Sequence, residues 1–93
     1  MKHVNISIKG KVQGVYFRLS TKAVVDQLGI KGFVRNLADG SVYIEAEGDD
    51  FALDCLKDFC AEGPERAEVQ EMTCEEGSWK NFNNFEVLKK STK

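Results

Sequence analysis

The sequence lacks a long apolar run and any paired cysteine motif. No stretch approaches the about 18–20 apolar residues that cross a bilayer, so we expect no membrane segment. The N-terminus, MKHVNISIKG, alternates polar and apolar residues and has no apolar block of the kind that forms a signal peptide. The three cysteines form no CxxC pair. Their odd number and the missing export signal predict reduced thiols, mainly as small core residues, in a cytoplasmic protein.

Residues that usually carry chemistry are also few. The single histidine, His3, falls on the polar face of the first predicted strand, and the sequence places no cysteine or carboxylate beside it. We therefore interpret His3 as an ordinary surface residue. HExxH, a Cys/His cluster and an Asp-rich calcium loop are all absent, and no serine or cysteine has the context of a nucleophile. We expect no metal and no cofactor, so any reaction must depend on positioning and electrostatics.

Charge is segregated along the chain, although the net charge is only −2. Residues 1–36 carry seven basic side chains and one acid, whereas residues 37–93 carry six basic and fourteen acidic side chains. A local positive field in an otherwise acidic protein fits a small anionic ligand better than a nucleic-acid duplex, which the acidic surface would repel.

The hydrophobic pattern predicts one domain over residues 1–93, with residues 90–93 as a frayed tail. Period-two alternation at Val4, Ile6 and Ile8 indicates a strand, and a helical spacing follows from residue 17 to 28, with Gly29 as the expected C-terminal stop. Two further strands, a helix capped by Asp49 or Asp50, a strand with a bulge near 66–75 and a short strand at 84–88 complete the order. Right-handed crossovers turn this order into a ferredoxin-like βαββαβ sandwich, an antiparallel sheet with two helices on one face.

The stretch GKVQGVYFR at 10–18 joins the first strand to the first helix. Gly14 allows a positive φ, so successive N–H groups can point into one concavity at the positive end of the helix dipole. Arg18, in the first helical turn, can bind a phosphate bidentately over the same concavity. From spacing alone, a simple turn with a solvated arginine remains the commoner arrangement.

Asn36 is the second candidate, at the end of a strand beside a tight turn at Asp39-Gly40. A turn-forming asparagine is the commoner role there. A functional asparagine offers a donor and an acceptor, and it can hold a water against a phosphorus atom.

At these residues the chain resembles the acylphosphatase family. The family's first signature, G-x-V-Q-G-V-x-F/Y-R, is met by Gly10, Val12, Gln13, Gly14, Val15, Phe17 and Arg18. The second, with an aromatic after glycine, then asparagine and a spaced G-x-V, is met by Gly32, Phe33, Asn36, Gly40, Val42 and Gly48. A later G-P-x-x-A-x-V and the closing N-F-E-V also resemble family features, so the resemblance runs from about residue 3 to 89.

The resemblance implies hydrolysis of small acyl phosphates to carboxylate and inorganic phosphate, without metal or cofactor. Arg18 and the N–H groups of Gly14, Val15, Tyr16 and Phe17 are expected to hold the phosphoryl oxygens, and Asn36 to orient the attacking water. Inorganic phosphate is expected to inhibit competitively, and the protein to act as a monomer without nucleic acid or membrane. Leu37 departs from the family, in which many members carry threonine at that position.

Two other readings remain open from the sequence. A catalytically silent anion-binding or regulatory domain has the same fold, but it has no need of both Arg18 and Asn36. An RNA-recognition domain shares the element order, but it needs exposed aromatic residues on its central strands. The third strand, SVYIEAEG, offers one outward tyrosine, Tyr43, and two glutamates.

Overall fold

The computed structural model describes residues 1–88, so the predicted frayed tail at 90–93 lies outside the described residues. The elements follow the order β1 (Lys2–Lys11), α1 (Phe17–Leu28), β2 (Lys31–Asn36), β3 (Val42–Gly48), α2 (Asp50–Glu62), β4 (Glu68–Gly77) and β5 (Phe85–Val87). The five strands form one sheet in the order β4-β1-β3-β2-β5. Within the described residues, no helix is long and apolar enough to cross a bilayer.

The predicted ferredoxin-like sandwich is confirmed. Strands β1 to β4 pair antiparallel, whereas the edge strand β5 is parallel to β2, which makes the sheet mixed. The sheet face that packs against the helices carries the apolar members of each alternating pattern, including Ile6, Ile8 and Ile44, which are fully buried. The core therefore lies between this face and the two helices.

The helix termini lie at residues whose types favour a helix start or a helix end. Gly29 follows α1 in the left-handed conformation, with φ 71°, and its N–H donates to the carbonyl of Val25. Asp49 caps α2, and its Oδ1 accepts a hydrogen bond of 2.8 Å from the N–H of Ala52. After α2 the N–H of Gly63 donates to the carbonyl of Phe59.

The bulge predicted in the fourth strand is present. Lys9 lies opposite Glu71 and Gly10 lies opposite Val69, so Gln70 is an extra residue on β4. The extra residue lets Val69 and Met72, three positions apart, both pack against the core. This explains why the apolar spacing of the segment departs from strict alternation.

The prediction that His3 is an ordinary surface residue without a carboxylate partner is wrong. His3 does lie on the sheet face opposite the helices, but the loop between β4 and β5 covers it, and the residue is 2% exposed. Its Nδ1 lies 2.7 Å from Oε2 of Glu47, and the ring of Phe82 stacks on it at 5.8 Å. Strand periodicity assigns a side chain to a face, but it gives no information on which loop returns to cover that face.

Glu47 joins this loop to the sheet. Its carboxylate accepts hydrogen bonds from the backbone N–H groups of Lys80, at 2.6 Å, and Phe82, at 2.9 Å. Burial by itself raises the pKa of Glu47, but the two N–H donors and His3 outweigh it, so the net effect lowers the pKa.

The cysteines are all free, as expected, but only Cys60 lies fully in the core. Cys55 and Cys74 are half-buried. Burial raises the pKa of the Cys60 thiol to about 12.

Candidate active site

One cleft of about 520 Å³ brings together most of the residues predicted to form a site. It lies where the segment before α1, the end of β2 and the end of β5 meet. Its lining residues are Val12, Gly14, Tyr16, Phe17, Arg18, Leu19, Asn36, Val87 and Leu88. Among the predicted residues, Val15 differs because its side chain is buried in the core at 8% exposure, so only its backbone is available to a ligand.

Two residues of the loop at 14–18 have a left-handed backbone conformation. Gly14 has φ 74°, as predicted, and Tyr16 has φ 62° although it carries a side chain. Left-handed residues that alternate with ordinary ones turn successive N–H groups toward one side of the chain. Tyr16 is 68% exposed, so packing of its side chain does not explain why a non-glycine residue adopts this conformation.

The N-terminus of α1 leaves its backbone donors without a cap. Within residues 1–88 no side chain caps this helix end, and its first turn contains no acid. The first N–H groups of a helix have no acceptor inside the helix, and the helix dipole adds partial positive charge there. At α2, by contrast, Asp49 caps the helix and Asp50 lies in the first turn. The cleft therefore holds the helix end that is suited to an external anion.

Arg18 is held at the cleft by the residue that follows β5. Its Nη1 donates a hydrogen bond to the carbonyl of Leu88, just after β5. A guanidinium has five N–H donors, so this bond orients the group and leaves further donors for an anion in the cleft.

Asn36 enters the cleft because of strand alternation. On β2 the side chains of Val34 and Asn36 share the face toward the helices, whereas Arg35 lies on the other face. Asn36 is 8% exposed, and its Oδ1 has no hydrogen-bond partner among residues 1–88. A buried acceptor without a partner is unfavourable, so this oxygen is available to a water or ligand in the cleft.

Four lining residues were not predicted as site residues from the sequence: Val12, Leu19, Val87 and Leu88. Leu88 meets Arg18 across 70 positions of the chain. The only signal for this segment was the closing N-F-E-V, to which the sequence assigned no role.

A family model and the curated relatives point to one family. A family model described as Acylphosphatase matches residues 4–87. A curated acylphosphatase from Marinobacter nauticus is 50% identical over 72 residues, which cover 77% of this chain and 78% of the relative. A curated acylphosphatase from Thermotoga maritima is 42% identical over 87 residues, which cover 94% of this chain and 97% of the relative.

A solved structure gives the same result. The crystal structure of acylphosphatase from Bacillus subtilis superposes with a TM-score of 0.91 at 30% sequence identity. The match covers 95% of this chain and 99% of that one.

Proposed function

The chain belongs to the acylphosphatase family, and we propose that its cleft hydrolyses the bond between carboxyl and phosphate in small acyl phosphates. One observation carries this proposal. Among residues 1–88, no side chain caps the N-terminus of α1 and none bonds to Oδ1 of Asn36, and both groups lie with Arg18 in one cleft. A phosphoryl group bound at the start of α1 and a water molecule bound to Asn36 therefore lie next to each other in the cleft.

The phosphoryl group binds at the 14–18 loop. Its oxygens accept hydrogen bonds from the N–H groups of Gly14, Val15, Tyr16, Phe17 and Arg18, and from the guanidinium of Arg18. These donors are fixed before the substrate arrives. They stabilise the charge on the equatorial oxygens of the transition state with little reorganisation.

Asn36 positions the nucleophile. Its Oδ1 accepts a hydrogen bond from a water molecule, which directs the water oxygen toward phosphorus. A bond forms between the water oxygen and phosphorus, and the bond from phosphorus to the carboxylate oxygen breaks. The water proton passes to a phosphate oxygen of the substrate, so the products are carboxylate and inorganic phosphate.

The cleft needs no side chain as a strong base. Among the lining residues that the structure describes, none is a carboxylate, a histidine or a cysteine. A carboxylate is a good leaving group, so holding the phosphoryl group and one water in line supplies the main part of the rate enhancement. Leu37 is outside the lining of the cleft, which supports activity despite the threonine that many family members have there.

The first test is hydrolysis of benzoyl phosphate in the presence of EDTA, with phosphate binding measured separately. Wild type should turn over. Arg18→Ala should bind phosphate weakly and lose nearly all turnover, because the clamp on the anion is gone. Asn36→Ala should bind phosphate as wild type does, while kcat falls on the order of 10²-fold or more.

Lys22→Ala is the matched control for the lost positive charge. Lys22 lies on the same helix as Arg18, but it pairs with Asp26 at 2.6 Å and does not line the cleft. Its variant should keep wild-type turnover. A rise in KM alone for Asn36→Ala contradicts the water-positioning role, and inhibition by EDTA contradicts the metal-free reaction. Phosphate binding without turnover in wild type indicates a silent anion-binding domain instead.

We further propose that the protein is a cytoplasmic monomer that inorganic phosphate inhibits competitively. The cleft is built from one chain, and the three thiols are unpaired, as is usual in a reducing compartment. Light scattering should give a mass near 10.4 kDa. Added phosphate should raise the apparent KM without changing kcat.

A further inference from the structure

We propose that Gln13 is a positioning residue that sets the distance between the 14–18 loop and Asn36. The proposal rests on the function proposed above, and it assigns a role to a residue of the first signature that has none so far. Gln13 does not line the cleft, so it acts through its neighbours on both sides.

The side chain of Gln13 crosses from the loop to the β2–β3 turn. Its Nε2 donates to the carbonyl of Leu37 at 2.8 Å and to the carbonyl of Ser41 at 2.9 Å. Both partners are carbonyl oxygens, which only accept, so the amide nitrogen faces them and both of its N–H groups are used. Gln13 is half-buried, so water competes less for these bonds than at an exposed site.

The two carbonyls are those that close the turn next to Asn36. The N–H of Leu37 donates to the carbonyl of Ser41 at 2.9 Å, and the N–H of Gly40 donates to the carbonyl of Leu37 at 3.1 Å. Each carbonyl therefore accepts one bond from the turn and one from Gln13. Since Leu37 directly follows Asn36, and Gln13 directly precedes Gly14, one side chain joins the two halves of the site.

Sheet pairing does not make this connection. The pairing of β1 with β3 ends at Ile8 and Val42, and from Lys9 to Lys11 the strand pairs with β4 alone. The segment that leads into the loop thus leaves the hairpin that carries Asn36. The Gln13 side chain bridges that gap.

The consequence for the reaction is geometric. In-line attack needs the water oxygen and phosphorus at about 3–3.5 Å, and a misplacement of about 1 Å can lower a rate on the order of 10²-fold. A loop that shifts relative to the turn still presents its N–H groups to phosphate, but the water held by Asn36 is out of line.

The test is Gln13→Met, which keeps the length of the side chain and removes both donors. We expect kcat with benzoyl phosphate to fall about 10- to 100-fold, while the dissociation constant of inorganic phosphate stays within about twofold of wild type. The milder variant Gln13→Asn keeps the donors on a shorter chain and should lose less activity. It also keeps the test decisive if Gln13→Met folds poorly.

A double-mutant cycle separates positioning from simple stabilisation. If Gln13 acts through Asn36, then adding Gln13→Met to Asn36→Ala should leave kcat at the value of Asn36→Ala alone. If Gln13 only stabilises the fold, the two losses should multiply. Asp49→Ala is the matched control, because it removes a hydrogen bond to the backbone at the start of α2, where no residue lines the cleft, and should leave kcat unchanged.

Each outcome bears on one proposal. If wild type turns over and Asn36→Ala does not, a Gln13→Met enzyme with wild-type kcat overturns the role of Gln13 and leaves the proposed function in place. Weaker phosphate binding with unchanged kcat also overturns that role. If wild type has no turnover, the proposed function fails, and the role of Gln13 fails with it.

Discussion

Gly14 and Gly29 have almost the same backbone conformation in different surroundings. Their φ values are 74° and 71°, and a Cβ added at either position would meet no atom within 4 Å. Space is therefore not the reason for glycine at these positions. The left-handed conformation is the reason, because a Cβ makes it less favourable by about 1 kcal/mol.

This comparison predicts the effect of two matched substitutions. Gly14→Ala and Gly29→Ala should each lower the free energy of unfolding by about 1 kcal/mol. Only Gly14→Ala should also weaken phosphate binding, because the change moves N–H groups of the 14–18 loop. Urea unfolding and phosphate titration of both variants check this. Equal phosphate affinity in the two variants would show that the conformation of Gly14 does not matter for binding.

At the scale of elements, the two helices use their N-termini differently. Helix α2 satisfies its N-terminus internally, through Asp49 and an acidic first turn. Helix α1 begins after a left-handed residue and has no cap among the described residues. The N-terminus of α2 is thus stabilised by groups of the chain itself, whereas backbone donors remain available at the helix end where we propose that a ligand binds.

Asp49→Ala should lower the free energy of unfolding by about 1 kcal/mol, because the N–H of Ala52 loses its acceptor. Activity should not change, since no residue of α2 lines the cleft. Asp49→Asn keeps an acceptor at the same place and should be close to wild type in stability. A tenfold loss of kcat in Asp49→Ala would contradict this separation of the helix ends.

At the scale of the whole molecule, the sheet is covered on both faces at one end. The helices pack on one face, and the loop after β4 covers His3 and Glu47 on the other. His3 Nε2 also lies 2.9 Å from Oδ1 of Asn5 and 3.2 Å from Oε1 of Glu45. The buried carboxylate of Glu47 and its partner His3 therefore link β1, β3 and the loop between β4 and β5.

This network predicts a dependence of stability on pH. The pKa of Glu47 lies below its ordinary value of 4.5, so the ionised group stabilises the fold above that pH. The stabilisation is lost as the pH falls through the lower, folded-state pKa. Glu47→Gln should therefore be less stable than wild type by about 2–3 kcal/mol at pH 5, and the difference should be smaller at pH 3, because the stabilisation decreases as the folded carboxylate takes up its proton.

Urea unfolding at the two pH values measures this difference. The control is Glu65→Gln, which removes an exposed carboxylate and should match wild type at both values. A gap between Glu47→Gln and wild type that is the same at both pH values would mean that the charge of Glu47 does not stabilise the fold.

Sequence reasoning succeeded where structure depends on neighbours along the chain. The strand at Val4, Ile6 and Ile8, the helix end at Gly29 and the cap at Asp49 all rest on residues within a few positions of each other. The resemblance of the sequence to two family signatures also pointed to Arg18 and Asn36, and the structure places both side chains in one cleft.

Contacts between distant residues depended on the tertiary structure alone. The bond between His3 and Glu47 spans 44 positions, and the bond between Arg18 and Leu88 spans 70. The bonds of Gln13 span 24 and 28 positions. Periodicity determines which face a side chain occupies, whereas sheet order and the path of each loop determine what lies across from it. Local pattern therefore specified the elements, the family resemblance pointed to Arg18 and Asn36 as candidate site residues, and the packing of the elements decided which side chains hold them in place.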